Sequence, residues 1–172
     1  MAFLVIAVSV EGAAAALAFH KSYNLWLFNI FIVVDYSFLA LVFSFWQKKK
    51  TFEKILRLSV PLFLLFWLGA KLFQLESFDQ INNYSRTLES LILTAISLYT
   101  LYILNEEDDI LLIRDRRFWA AAAVLIYFAG NMMIFAIGEV ILGGVHVWLV
   151  HSSLNIVTNL CYAGAFLCLA LH

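Results

Sequence analysis

Six stretches of about 20 mostly apolar residues follow one another along the chain, at 1–19, 25–46, 58–75, 84–104, 118–138 and 147–171. About 20 apolar residues are what a helix needs to cross the hydrocarbon of a bilayer. Lipid offers no hydrogen bonds, so a spanning segment must satisfy its own backbone, which leaves helices and closed barrels. No stretch alternates apolar and polar residues with a period of two, which removes the barrel. The reading is an all-α integral membrane bundle of six transmembrane helices. The connectors, 20–24, 47–57, 76–83, 105–117 and 139–146, are short, so successive helices are expected to be antiparallel neighbours in a single transmembrane domain, 1–172.

Composition closes the other routes. The chain is 64% hydrophobic and 13% charged, against about 45–50% and about 25% for an average soluble domain. A soluble fold would leave contiguous apolar patches in water, and a disordered chain would be poor in the apolar residues that abound here. The net charge of −1 offers no basic face, so no nucleic-acid partner is expected. Cys161 and Cys168 lie two helical turns apart in one apolar stretch, out of reach of each other. No Lys or Arg precedes Lys21, and Glu11 interrupts the first apolar run, so 1–19 reads as a retained spanning helix rather than a signal peptide.

Boundary residues agree with the spans. Trp26, Trp46, Trp119 and Trp148 fall at predicted helix ends, where an amphipathic ring prefers the interface, and Trp67 is the exception, inside the third span. Pro61 is expected in the first turn of that span, where a missing N–H costs little. Eight of the 11 basic residues, Lys48, Lys49, Lys50, Lys54, Arg57, Arg114, Arg116 and Arg117, belong to the second and fourth connectors. That bias places those connectors and both termini in the cytoplasm and leaves Lys21, Lys71 and Arg86 on the outer side. The acidic run from Glu106 to Asp109 lacks the ordered ligand spacing of a calcium loop and reads as a solvated loop, with Ile110 to Ile113 dipping to the interface.

Ionisable groups inside a span cost roughly 2.5–3.5 kcal/mol each and usually face the bundle interior. Here they are numerous: Glu11 in span one, Asp35 in span two, Lys71 in span three and Glu89 in span four, with Asn131 as an amide in span five. In span six His151, Asn155 and Asn159 are spaced by four, and at about 100° per residue they share a stripe ~80° wide with Tyr162. In span four Arg86, Ser90, Thr94 and Ser97 form a second stripe, with Glu89 within pairing reach of Arg86. His151, Glu89 and Lys71 are expected in the outer half of the membrane, Asp35 and Glu11 near the midplane. These residues together suggest a polar pocket opening outward over a carboxylate floor. Each also has a plainer role: Lys71 can snorkel to the interface, and the amides, hydroxyls and His151 can make interhelical hydrogen bonds.

Few chemistries suit these groups. Catalytic zinc wants three protein ligands, but His20, His146 and His172 sit at helix ends and only His151 lies within a span, so no metal centre is expected. Two interfacial histidines, His20 and His151, argue weakly for haem. The last span has no lysine for a retinal Schiff base, and no Gly-x-Ser-x-Gly elbow occurs. No cofactor is expected. A midplane carboxylate with a histidine could relay protons in a transporter, but the halves show no clear repeat of the kind six-span transporters often carry.

Three segments, Asn83-Tyr-Ser-Arg-Thr-Leu-Glu-Ser90, Phe118-Trp119 and Trp148-x-x-His151-x-x-x-Asn155-x-x-x-Asn159-x-x-Tyr162, carry a resemblance. From about Asn24 onward the chain resembles a group of small bacterial multi-span membrane proteins with no assigned function. The resemblance implies a bacterial inner-membrane location and one further spanning helix ahead of the first. It supplies no catalytic residue.

The expectation is a small-molecule-binding or sensory membrane module. His151, Glu89, Arg86, Asn155, Asn159 and Tyr162 would meet a small polar or amphiphilic ligand, with Asp35 and Glu11 at the floor. Its surroundings are the lipid bilayer, with a homo-oligomer or a membrane partner compatible. The competing classes are a membrane-embedded enzyme acting on a lipid-like substrate, with His151 as acid/base, and a proton-coupled transporter.

Overall fold

The computed structural model describes residues 25–78, 83–107, 111–141 and 143–170, without the side chains of 25, 83, 134–149, 151, 169 and 170. The first predicted span, with Glu11, lies outside the described residues. Among the described residues the fold is all-α. It comprises α1 (Leu25–Trp46), α2 (Lys50–Leu72), α3 (Asn83–Asn105), a 3-10 turn (Leu112–Arg114), α4 (Arg116–Ile141) and α5 (Gly143–Ala170). Three of these helices are long and apolar enough to cross a membrane, over Trp26–Trp46, Lys50–Leu72 and Tyr84–Asn105, and a shorter apolar helical segment covers Ser152–Cys168. The chain divides into two compact units, Met1–Glu89 and Ser90–His172.

In the first unit α1 and α2 pack side by side. Asn29 meets Lys71, Tyr36 meets Ser59 and Phe63, and Phe45 meets Arg57, so numbers fall on α2 as they rise on α1. That register is a helical hairpin. On α1, Ile32, Tyr36, Leu39, Ala40 and Phe43 are buried, while Ile30, Val34, Phe38, Leu41 and Phe45 follow at intervals of three and four on the exposed side. An outer stripe of that kind suits hydrocarbon better than water. On α2 the buried residues Leu56, Phe63 and Ala70 recur every seven, and Ile55, Leu58, Leu62, Leu65 and Leu72 are exposed.

Two boundaries differ from the sequence expectation. The helix expected to begin at 58 begins at Lys50, so most of the second connector is helical. Lys, Glu and Arg are good helix formers, and Glu53 pairs with Arg57 one turn on at 2.6 Å. A helix can thus leave the apolar layer without ending. Pro61 therefore sits inside α2 rather than in its first turn, where it has no N–H to give the Arg57 carbonyl. The connector expected at 139–146 shrinks to residue 142, which lies outside the described residues, and Gly143 and Gly144 begin α5. In lipid an unpaired backbone costs several kcal/mol, which favours keeping a helix through such glycines.

In the second unit α4 and α5 pack along their lengths. Small residues let them approach. A Cβ on Gly130 would come within 2.6 Å of Leu154 Cδ1, and one on Gly164 within 2.9 Å of the Trp119 ring. Close backbone approach through small residues is the usual means of helix association in membranes. At the end of this pair the Trp119 indole N–H donates to the Ile113 carbonyl at 2.8 Å. Arg117 ties the loop to α4 through Asp115 at 2.7 Å and Glu107 at 3.1 Å. Partial burial pushes the Asp115 carboxyl up, but hydrogen bonds from the Arg117 side chain and backbone outweigh it and hold the group below its ordinary value of 3.8. Leu111 and Ile113 project from the same loop, exposed. Cys161 and Cys168 are both free thiols.

Candidate functional site

Polar side chains of the first unit descend in steps from the connector that follows α2. At the connector, α2 ends in a tight turn with Gln74 in the left-handed region at φ 55°. The Leu75 and Glu76 N–H groups return to the Ala70 carbonyl at 3.0 and 3.2 Å, the backbone closure that satisfies helix-end carbonyls. This turn aims Glu76 at the start of α3. The Glu76 carboxylate is buried and accepts from the Ser85 N–H at 2.8 Å and from the Ser85 hydroxyl at 2.6 Å. A carboxylate there satisfies an otherwise orphaned helix donor and meets the positive end of the helix dipole.

Lys71 occupies the same level. Its ammonium donates to Asn29 Oδ1 and, at 3.2 Å, to the Ser77 carbonyl. It also lies 4.8 Å from the Phe78 ring centroid and 5.9 Å from that of Trp67. Asn29 returns an N–H to the Phe78 carbonyl at 3.4 Å. Lys71 is thus held by both α1 and the connector.

The next step is charged. Arg86 Nη1 lies 3.3 Å from Glu89 Oε2, an i,i+3 pair on α3. The Glu89 side chain is wholly buried, at 0% exposure, while that of Arg86 keeps 24%. Glu89 Oε1 is buried without a hydrogen-bond partner. Asp35 on α1 is buried, and it acts electrostatically on Glu89 as Arg86 acts on it. Below them the Tyr36 hydroxyl, also within the field of Glu89, donates to Ser59 Oγ at 2.8 Å. The Ser59 hydroxyl in turn donates a hydrogen bond to the Leu56 carbonyl at 2.7 Å. At 1.5 Å per residue Glu89 lies roughly 9 Å along α3 and Asp35 roughly 15 Å along α1.

No family model, no curated protein and no solved structure matches the chain. The site is therefore read from its own chemistry.

Of the residues singled out in the sequence, the structure brings together Asp35, Arg86 and Glu89. Glu11 and the His151 side chain lie outside what is described. Asn155 and Tyr162 are half-buried on α5 and Asn159 is exposed, while the buried residues of that helix include Thr158 and Cys161. Further along α3, Ser97 and Thr100 are buried and donate to the carbonyls of Leu93 and Ile96 at 2.7 and 2.9 Å. Participants that the sequence reading does not single out include Asn29, Tyr36, Ser59 and Glu76. Asn29 carries a signal, a lone amide within an apolar run. Glu76 carries another, an acid shortly before a helix N-terminus.

In this site Glu89 pairs with Arg86, and Asp35 lies within electrostatic reach of both. In a medium of low dielectric an uncompensated charge is expensive, and such intramembrane groups mark a path or binding place for a charged species. Among the described residues no group of three or more His, Cys, Asp or Glu side chains is placed to hold a metal ion.

Proposed function

We propose that the chain is a bacterial inner-membrane protein of six spans, antiparallel in sequence order, with both termini in the cytoplasm. Its function is that of a small-molecule-binding or sensory membrane module. The clustering of basic residues in the second and fourth connectors supports the orientation. It puts the connector carrying Glu76 on the outer side, with the Asp35–Arg86–Glu89 cluster deeper and open outward.

One observation carries the binding reading: Glu89 is wholly buried among helices, yet one of its carboxylate oxygens has no hydrogen-bond partner. A buried carboxylate oxygen left unmatched costs on the order of 1–3 kcal/mol or more. That unmatched acceptor is where a donor group of a ligand would bind. Asp35, Arg86 and Glu89 form the recognising group, and the ligand is small and polar or amphiphilic.

The test is mass spectrometry of the protein purified in mild detergent and incubated with lipid extract. An intact co-purifying molecule, lost from Glu89→Gln, is expected. Turnover of a lipid would make the chain an enzyme instead, and the same spectrum from both proteins would overturn the reading.

A further inference from the structure

We infer that the junction between α1 and α2 binds the headgroup of an anionic phospholipid through Lys49, Lys50 and Lys54. The site shares no residue with the proposed pocket. Between Lys48 and Arg57 the chain carries five bases and one acid, Glu53. Glu53 is taken by Arg57 at 2.6 Å, and the Arg57 guanidinium also lies 5.1 Å from the Phe45 ring centroid. The lysines of this segment therefore have no neighbouring acid in the sequence left to balance them. Lys49, Lys50 and Lys54 are exposed, and their side chains form no hydrogen bond or ion pair with a described residue.

The start of α2 at Lys50 gives these charges a geometry that an irregular connector would not have. Lys50, Lys54, Leu58, Leu62 and Leu65 follow at intervals of four, four, four and three, so they share one helix face about 120° wide. All five are exposed. One uninterrupted face thus changes from ammonium to hydrocarbon between Lys54 and Leu58. Lys50 stands five residues ahead of the exposed Ile55, about 7.5 Å along the helix. The headgroup layer of one leaflet is about 5–7 Å deep. With Ile55 and the leucines among acyl chains, Lys50 and Lys54 stand at the level of the phosphates. Two lysines one turn apart repel each other, and an anion beside both relieves the repulsion.

Other occupants suit this face less well. A free phosphate meets the charge but leaves the leucines uncovered. A zwitterionic headgroup brings an ammonium of its own among the lysines. An anionic phospholipid supplies an uncompensated phosphodiester charge together with tails that cover the leucines. Lysine acts on phosphate as a point charge, and each basic group near an anionic surface adds to the attraction.

The test is native mass spectrometry of the full chain in a nonionic detergent, titrated with dioleoylphosphatidylglycerol or dioleoylphosphatidylcholine. The two lipids share their tails and differ in headgroup charge. Phosphatidylglycerol should bind more tightly. The triple variant Lys49→Gln/Lys50→Gln/Lys54→Gln should lose at least about tenfold in affinity for it, and Lys49→Arg/Lys50→Arg/Lys54→Arg should keep it. Raising ammonium acetate from 0.1 to 1 M shortens the screening length from about 10 to about 3 Å and should erase the preference in wild type. The salt series and the arginine variant report even where the glutamine variant fails to fold.

Equal affinity for the two lipids, or a preference that survives the salt, overturns the inference. So does an equal loss from Arg114→Gln/Arg116→Gln, because net charge and not this face would then govern binding. Displacement of the lipid by a hundredfold excess of glycerol phosphate would make the ligand a free phosphate and overturn the lipid assignment.

Discussion

Arg86 and Glu89 face each other across one turn of α3 at 3.3 Å, the carboxylate wholly buried and the guanidinium partly exposed. Breaking a buried pair from one side leaves a bare charge and costs about 3–5 kcal/mol. Arg86→Gln is expected to destabilise the protein by about that amount. Arg86→Gln combined with Glu89→Gln should recover most of the loss, because no isolated charge remains. Melting curves of the two single variants and the double variant in one detergent measure the coupling. Strictly additive losses would show that the pair does not act as one.

Glu76 accepts two hydrogen bonds from Ser85 at the head of α3. Glu76→Ala is expected to cost about 1–3 kcal/mol, the range for losing bonds to a charged, buried acceptor. Glu76→Gln keeps one acceptor oxygen and should cost less. Thermal unfolding of both variants checks the order.

Gln74 holds φ 55° at the end of α2. A left-handed backbone costs a side-chain-bearing residue about 1–2 kcal/mol, and glycine escapes that cost. Gln74→Gly is therefore expected to raise stability by up to about 1 kcal/mol, a gain readable as a higher Tm. A fall in Tm would mean that the Gln74 side chain contributes more than its backbone strain costs.

The two close-approach glycines of the second unit should respond differently. At Gly164 the obstacle is the Trp119 ring at 2.9 Å, whose indole is fixed by its bond to Ile113. Gly164→Ala is expected to cost about 1–3 kcal/mol by overpacking. At Gly130 the obstacle is the Leu154 methyl end, which can turn aside. The gain of about 0.5–1 kcal/mol for alanine over glycine within a helix then offsets the crowding, leaving Gly130→Ala near neutral. The two melting temperatures decide it.

Much of the architecture is legible in the chain before any coordinates. The apolar runs at 25–46 and 84–104 mark α1 and α3 to within a residue, because the membrane makes segment length a physical quantity. The Arg86–Glu89 pair follows from a spacing of three on a helix. The early start of α2 is not legible, because Lys50 to Arg57 read as polar connector while the backbone remains helical beyond the apolar layer. The Lys71–Asn29 and Glu76–Ser85 bonds are also hidden. The first depends on the register in which α1 and α2 pair, and the second on the left-handed turn at Gln74 that leads to Glu76, both of which are tertiary.

Outside the spans, Asp115 is held below its ordinary value by Arg117. A carboxyl lowered in the folded state stabilises the fold at pH values above its unfolded value near 3.8, and that contribution fades as the pH falls through the lower folded value. Asp115→Asn should therefore lower stability at neutral pH by about 0.5–1 kcal/mol and narrow its difference from wild type in strong acid. Paired melting curves across that range measure it. A difference that stays constant would assign the effect to packing.

The charged groups of α3 are proposed to turn toward a polar path entered from outside, not toward lipid. The most direct measurement is labelling of single cysteines from the external side with a membrane-impermeant maleimide, in a background with Cys161 and Cys168 replaced by alanine. Arg86→Cys and Ser90→Cys should react faster than Leu91→Cys and Leu98→Cys, which stand on the exposed apolar side of the same helix. If the residue 86 and 90 variants label no faster than the two leucine controls, the path does not exist and the account of the site fails.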